Sequence, residues 1–343
     1  MALKQRHILI RLITAILPAA VCLFLVILLV QGWLVYLVTR PQRAEEKMNP
    51  QKFADLTGSS LPWSEERWAN ADNTQSSGWF LRGAQGAPAI VLNHGYGRNR
   101  SELLDLGIRL HEAGYHVLLP DLRGHGKSTV EWSSLGIYES DDTASAVKFL
   151  KEMRGSNGQP LIDQSRVGLY GLSVGGVAAL TAAAKEPSVR TVIVDAVYDD
   201  PNVLTYSLMG DMFSRAGSQI NKLLSLGMQA YLLGKYDRQM IGHAVRNFKT
   251  QKVYFISSSD AGIFDHSTRN LFAQTKSQKE LLNFDHSRLA RLEGTDQVTY
   301  DDRIVSYFRR DLPRETAQHN GTVGAVTPSA STIDTVLAKT QTK

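Results

Sequence analysis

The chain has 343 residues, 43% of them hydrophobic, and a formal net charge of +5. That much apolar material supports a substantial core in one large domain or two small ones and excludes a chain disordered throughout. The charge excess sits in the flanks. Residues 1–50 carry Lys4, Arg6, Arg11, Arg40, Arg43 and Lys47 against Glu45 and Glu46, and residues 313–343 add one positive charge. The neutral stretch between them disfavours a nucleic-acid-binding domain. The single cysteine, Cys22, excludes an internal disulfide framework and a cysteine-based zinc site.

After a short tail, residues 1–11, the run 12–38 reads LITAILPAAVCLFLVILLVQGWLVYLV and carries no formal charge. About 20 helical residues cross a bilayer core, so this run predicts a transmembrane helix with room for tilt. Trp33 and Tyr36 suit its interfacial end, while Pro18 weakens its early part. The competing reading is a cleaved signal peptide. The length of the run, and the lack of a small-x-small site before the polar segment, favour a retained anchor. Basic residues on the two flanks are nearly tied. The short tail favours a cytoplasmic amino terminus and an extracytoplasmic large domain. Residues 39–75, rich in Pro, charges and polar groups, read as a membrane-proximal connector.

From Trp79 onward short apolar strands alternate with amphipathic helices, which predicts an α/β architecture with a mostly parallel sheet. Strands are expected at 78–81, 89–93, 115–120, 166–171, 190–195, 252–257 and 280–284. Helices are expected at 101–113, 139–153, 175–185, 266–275 and 300–308. The long connection 196–250 contains LMGDMF and INKLLSLGMQAYLLG, whose spacing suggests short amphipathic helices lying over the sheet. Residues 312–343, rich in Thr, Ala, Ser and Gly, are expected to be disordered.

The strongest chemical signal is RVGLYGLSVGGVAAL at 166–180, an apolar strand running through Gly171-Leu172-Ser173-Val174-Gly175 into an Ala-rich helix. Glycines permit close packing around a strained turn that exposes the Ser173 hydroxyl, and the helix start presents free N–H groups to developing negative charge. A GxSxG match alone also fits a structural turn. Upstream, Ile90-Val91-Leu92-Asn93-His94-Gly95-Tyr96-Gly97 ends another strand, and Asp121-Leu122-Arg123-Gly124-His125-Gly126-Lys127-Ser128 follows the next.

Together these three motifs resemble the α/β-hydrolase superfamily, and the resemblance covers about residues 76–311. It implies an α/β-hydrolase fold with a lid at 196–250 and an oxyanion hole from the N–H groups of Tyr96 and Val174. His94 precedes the elbow, against the superfamily order of Ser, acid, His, and is expected to brace the oxyanion loop. The 121–128 block is expected to be architectural. The same order assigns Ser173 as nucleophile, Asp260 at the end of VYFISSSD as the orienting acid, and His286 in LLNFDHS as general acid and base. Ser257-Ser258-Ser259 departs from the commoner glycine-containing turn, so Asp195, at the end of the strand after the nucleophile helix, stays open as a displaced acid. Asp265 beside His266 reads as a helix cap.

The function these residues imply is a membrane-anchored serine hydrolase that cleaves an ester through an acyl-enzyme, acting on a hydrophobic acyl or lipid-like substrate. The alternatives are a membrane-bound serine peptidase or thioesterase, and a catalytically inactive hydrolase-fold scaffold. Tyr206, Leu208, Met209, Met212 and Phe213 are candidates for an acyl pocket, with core packing as the competing reading of each. No cofactor, metal or nucleic acid is implied.

Overall fold

The computed structural model describes residues 2–210, 217–236 and 239–313, with side chains from residue 14 onward. Met212, Phe213 and the C-terminal tail from residue 314 lie outside the described residues.

Eight strands form one sheet: β1 (Trp63–Ala69), β2 (Gln75–Leu81), β3 (Ala87–Asn93), β4 (His116–Pro120), β5 (Ile162–Leu172), β6 (Val189–Asp195), β7 (Lys252–Ser257) and β8 (Lys279–Asn283). Their spatial order is β1-β2-β4-β3-β5-β6-β7-β8. The pairs β1/β2 and β2/β4 are antiparallel, and every pair from β4 to β8 is parallel. All residues of β3 and β4 are buried, as continuous apolar runs covered on both faces should be. All seven strands expected from the sequence are present within a few residues of their predicted ends. The eighth, β1, lies in the segment read as a connector. Its sequence WSEERWA alternates imperfectly and sits at the sheet edge, where its charges suit a strand with one unpaired side.

Helices α3 (Leu104–Glu112) and α10 (Gly294–Asp311) pack against each other, while α4 (Ile137–Glu152), α5 (Val174–Lys185) and α8 (Met240–Arg246) form a second contiguous group. Helix α10 lies close to β5 because Gly168 has no side chain; a Cβ there would stand 2.7 Å from the Phe308 ring. In α5, VGGVAALTAAAK is buried from Val174 through Ala183, so its small residues let a helix sit flush on the sheet. Between β6 and β7 run α6 (Pro201–Met209), α7 (Gly217–Tyr231) and α8, in the segment expected to carry short helices. Helix α9 (Ile263–Gln274) follows β7.

The apolar amino-terminal run is one helix, α1 (Ala2–Thr39), with Pro18 inside it, and Thr14–Thr39 is long and apolar enough to cross a membrane. Most of this segment is exposed, yet its last turns are not: Leu34, Val35 and Val38 join the core of the domain. Each buried side chain of this kind contributes roughly 1.5–3 kcal/mol. The final carbonyls of a helix lack intrahelical donors. Here the domain supplies them, with Ser133 N–H donating to Thr39 O at 2.7 Å and Tyr96 Oη to Val38 O at 2.8 Å. Beyond the helix, Arg43 donates to the carbonyls of Gly126, Ser128 and Val130, and Asn99 donates to Ala44 O. A short helix, α2 (Pro50–Thr57), capped by Asn49 and stopped by Gly58 in the left-handed region, leads into β1.

Candidate active site

The parallel strands all end at one edge of the sheet, the place where open α/β sheets gather ligand-binding loops. Ser173 follows β5 at this edge, Tyr96 follows β3, Asp195 closes β6, Asp260 follows β7 and His286 follows β8.

Ser173 has φ 52° and ψ −118°, outside the regions that L-residues ordinarily adopt, and helix α5 starts at the next residue. Such a conformation costs of order 1–3 kcal/mol and persists only where its surroundings fix it. The surroundings here are glycines. A Cβ on Gly171 would lie 2.3 Å from Gly175 O, and one on Gly175 would lie 2.5 Å from the carbonyl oxygens of both Asn93 and His94. The elbow is therefore pressed onto the end of β3. Ser173 N–H donates to Asp195 O at 3.0 Å, and the Ser173 carbonyl accepts from Gly176 and Val177. Among the described residues the Ser173 hydroxyl makes no hydrogen bond, to His286 or to any other group.

Asp260 and His286 meet: His286 Nδ1 lies 3.2 Å from Asp260 Oδ2, and the neighbouring Ser287 N–H donates to Asp260 Oδ1 at 2.8 Å. Partial burial pushes the Asp260 carboxyl upward, but the bond from Ser287 N–H and the smaller contributions that include His286 outweigh it and hold the group below the ordinary carboxylate value. An ionised Asp260 facing Nδ1 fixes the proton on that nitrogen and leaves Nε2 as the basic atom. Half of the His286 side chain is exposed.

Among the described residues Asp195 makes no hydrogen bond to His286. Its carboxylate accepts from Ser287 Oγ at 2.8 Å, Arg288 N–H at 2.7 Å and Tyr300 Oη at 2.8 Å, all in a fully buried setting. Burial pushes this carboxyl up to about 6 despite those three donors. Asp195 thus holds the Ser173 turn by its backbone carbonyl and the loop of His286 by its side chain, a link the sequence order alone does not reveal. The network extends through the Tyr300–Tyr170 hydroxyl pair and the Arg288–Asp301 ion pair.

The amides of Tyr96, after β3, and Val174, at the start of α5, donate to no backbone or side-chain acceptor among the described residues. His94 is fully buried, and burial lowers its pKa to about 4, so the ring is neutral. Its Nε2 accepts from Leu122 N–H at 3.1 Å, which leaves the proton on Nδ1, 2.9 Å from Gly95 O. It braces the loop after β3 against the loop after β4. His125 packs edge-on against both His94 and Tyr96. Asp121 accepts from the N–H groups of Arg100 and Lys127, and Gly126, at φ 47°, leaves room for its carboxylate. Arg123 pairs with Asp142 and Asp72. The two sides are tied by Arg98, which donates to Leu289 O, and Arg288, which donates to Glu102 O.

Of the other candidates, Asp265 sits in the first turn of α9, where Gly262 rather than Asp265 is the cap residue, and it accepts from Ser257 and Arg269. Tyr206 and Leu208 point outward from α6, and Met209 is buried. A cavity of about 300 Å³ in the described residues lies elsewhere, between α1 and α7. Among the described residues no group of three or more His, Cys, Asp or Glu side chains is arranged to hold a metal ion.

Comparison with known proteins agrees with this architecture. A family described as alpha/beta hydrolase fold matches residues 88–236. The chain is 32% identical over 147 residues to the uncharacterized protein YfhR of Escherichia coli (strain K12), covering 40% of this chain and 49% of that protein. It is 29% identical over 144 residues to the polyketide transferase grgF of Penicillium sp, covering 41% and 47%. The matched stretch spans about half the length of these curated relatives. Among solved structures, the Pyrococcus furiosus esterase Pf2001 is similar at a TM-score of 0.57 and 18% identity over 80% of this chain and 99% of that one. The structure of GrgF from Penicillium sp. sh18 is similar at 0.54 and 19%, over 74% and 99%. The chain is an α/β-hydrolase-fold protein.

Proposed function

We propose that this protein is a membrane-anchored serine hydrolase that cleaves esters of hydrophobic acyl or lipid-like substrates through Ser173, Asp260 and His286. What supports the proposal is the strained Ser173 directly after β5, at the same sheet edge as the loops that carry the uncommitted Tyr96 amide and the Asp260–His286 pair. The Ser173 hydroxyl attacks the substrate carbonyl while His286 Nε2 takes its proton. Asp260 steadies the resulting imidazolium, and the Tyr96 and Val174 amides receive the oxyanion. His286 then protonates the leaving alkoxide. Water, deprotonated by the same nitrogen, releases the acyl group and restores Ser173. Asp195 keeps the histidine loop in register.

The anchor is part of the proposal. Removal of α1 as a signal peptide would strip Leu34, Val35 and Val38 from the core and Thr39 O from Ser133, which supports retention. The oxygen ester rests on the serine chemistry read above, since the esterase Pf2001 at 18% identity is similar in fold alone. The relative named thiohydrolase aneE, from Aspergillus aculeatus and 29% identical over 138 residues, favours a thioester as a second reading with the same acyl-enzyme.

The test is labelling of the full-length protein in membranes with a fluorophosphonate probe, beside hydrolysis of a series of p-nitrophenyl esters. Wild type is expected to label, S173A is not, and turnover by S173A is expected to fall by at least about four orders of magnitude. Equal labelling of folded S173A overturns the assignment. A greater rate on thioesters than on matched oxygen esters selects the second reading.

A further inference from the structure

Helix α1 meets the domain chiefly through α7. Gly227 lets them touch, since a Cβ there would lie 2.7 Å from Gln31 Cγ and 2.8 Å from Val35 Cγ2. Gln31 Nε2 donates to Leu223 O at 3.0 Å across this seam. Beside the contact the helices part and leave the 300 Å³ groove, walled by Leu28, Gly32 and Val35 of α1 and by Ala230 and Tyr231 of α7. Arg40 stands at the other end of its α1 wall, its guanidinium over the Tyr36 ring and 3.3 Å from Glu131. The groove therefore has an apolar length and ends at an ion pair whose two members, Arg40 and Glu131, are both exposed.

Two observations say what covers it. Its α1 wall continues without a break into the exposed apolar surface of the same helix, where Leu29 and Trp33 stand outward. The exposed large apolar side chains of the domain also concentrate in α7 and the elements around it. Outside α1, five of the seven among the described residues lie in α6, in α7 or just after α7: Tyr206, Leu208, Leu226, Tyr231 and Leu233. Leu233 is 89% exposed. Apolar surface of this extent, bordered by Trp33, Tyr36 and Tyr231, is the composition of a membrane interface.

We propose that the groove between α1 and α7 is a binding site for one acyl chain of a glycerophospholipid, which enters sideways from the surrounding leaflet with its phosphate at Arg40. The inference rests on the anchored reading of α1 and does not require the hydrolytic one. Lateral entry suits the chain because it exchanges one apolar solvent for another, while the phosphate takes the exposed Arg40 guanidinium from Glu131, whose carboxylate turns to water.

The test uses full-length protein in phosphatidylcholine–phosphatidylglycerol vesicles containing a phospholipid with a diazirine on its acyl chain. Cross-linked peptides are read by mass spectrometry in wild type, S173A and G32F. No atom lies within 4 Å of where a Cβ on Gly32 would stand, and Gly32 lines the groove, so phenylalanine there adds bulk to it. Cross-links are expected on residues 29 and 33 in all three proteins and on Ala230 and Tyr231 in wild type and S173A. In G32F the α7 cross-links are expected to fall about tenfold, the equivalent of 1.4 kcal/mol in occupancy. Labelling of residues 29 and 33 without α7 overturns the groove and leaves the anchor standing. Labelling of neither overturns both. Undiminished α7 labelling in G32F, or labelling by a diazirine fatty acid but not by the phospholipid, overturns the phospholipid site.

Discussion

The two flanks of Ser173 are built from different materials. On the β6–β8 flank, His286 and its loop are held by two carboxylates, Asp260 and Asp195, through four hydrogen bonds to residues 286–288. On the β3 flank, the Tyr96 side chain meets neutral groups, the His125 ring and a carbonyl at the end of α1, beside the uncharged His94. Protonation of carboxylates is therefore expected to bear on the His286 flank, and the seating of an apolar helix on the Tyr96 flank. Within the histidine flank the carboxylates differ again. Asp260 is partly exposed and held low; Asp195 is sealed and pushed up to about 6.

The largest effect that bears on this contrast is expected from D260N. An amide at this position no longer favours the Nδ1–H tautomer or the imidazolium, so kcat falls by roughly 10⁴ with KM within a few-fold of wild type. D195N removes only a clamp, and misplacement of a histidine loop costs between about tenfold and a hundredfold. Steady-state kinetics on one ester rank the two. If D195N proves the more damaging and D260N nearly silent, Asp195 is the acid and the assignment above is reversed.

Much of this contrast was legible before any coordinates. GLSVG after an apolar strand locates the turn at Ser173, and seven strands follow from apolar runs, most directly β3 and β4, since fully buried parallel strands need nothing subtler. The edge strand β1 was missed since Trp63–Ala69 carries three charges and one buried side chain, with only a neighbouring strand to define it. Asp195 was visible as a competitor, but its role depends on three donors distant in sequence, Ser287, Arg288 and Tyr300. The docking of α1 was hidden for a different reason. Leu34, Val35 and Val38 look in sequence like any other residues of an apolar span, and no periodicity separates a lipid-facing Leu from a core-facing one.

Stability against pH separates the same carboxylates by sign. With its folded value raised from 3.8 to about 6, Asp195 keeps a proton that the unfolded chain has released, so its contribution to stability declines as pH rises from about 4 to 6 and is flat above. Asp260, held below its ordinary value, contributes above about pH 4 and loses that contribution as pH falls through its folded value. Differences from the matching asparagine variants cancel other buried acids such as Asp301. The Tm gap between wild type and D195N is expected to be larger at pH 4.5 than at pH 7. The gap for D260N is expected to be larger at pH 7 than at pH 3. A D195N gap that grows with pH would show that its three donors outweigh its burial.

The smallest effect tests the other flank. Burial holds the Tyr96 hydroxyl well above its ordinary pKa, so it stays a donor to Val38 O at all working pH values. Y96F keeps the backbone N–H proposed for the oxyanion and keeps the ring against His125, but leaves a helix-end carbonyl without its donor. One such bond is worth about 1 kcal/mol of stability. If the bond also seats the loop, kcat falls about three- to tenfold while KM stays put, because the oxyanion forms only in the transition state. The loss should not change between pH 5 and 8, unlike any effect routed through Asp195. A change in KM alone would assign Tyr96 to substrate binding, and a loss of stability with kcat intact would leave α1 holding the domain without holding the oxyanion.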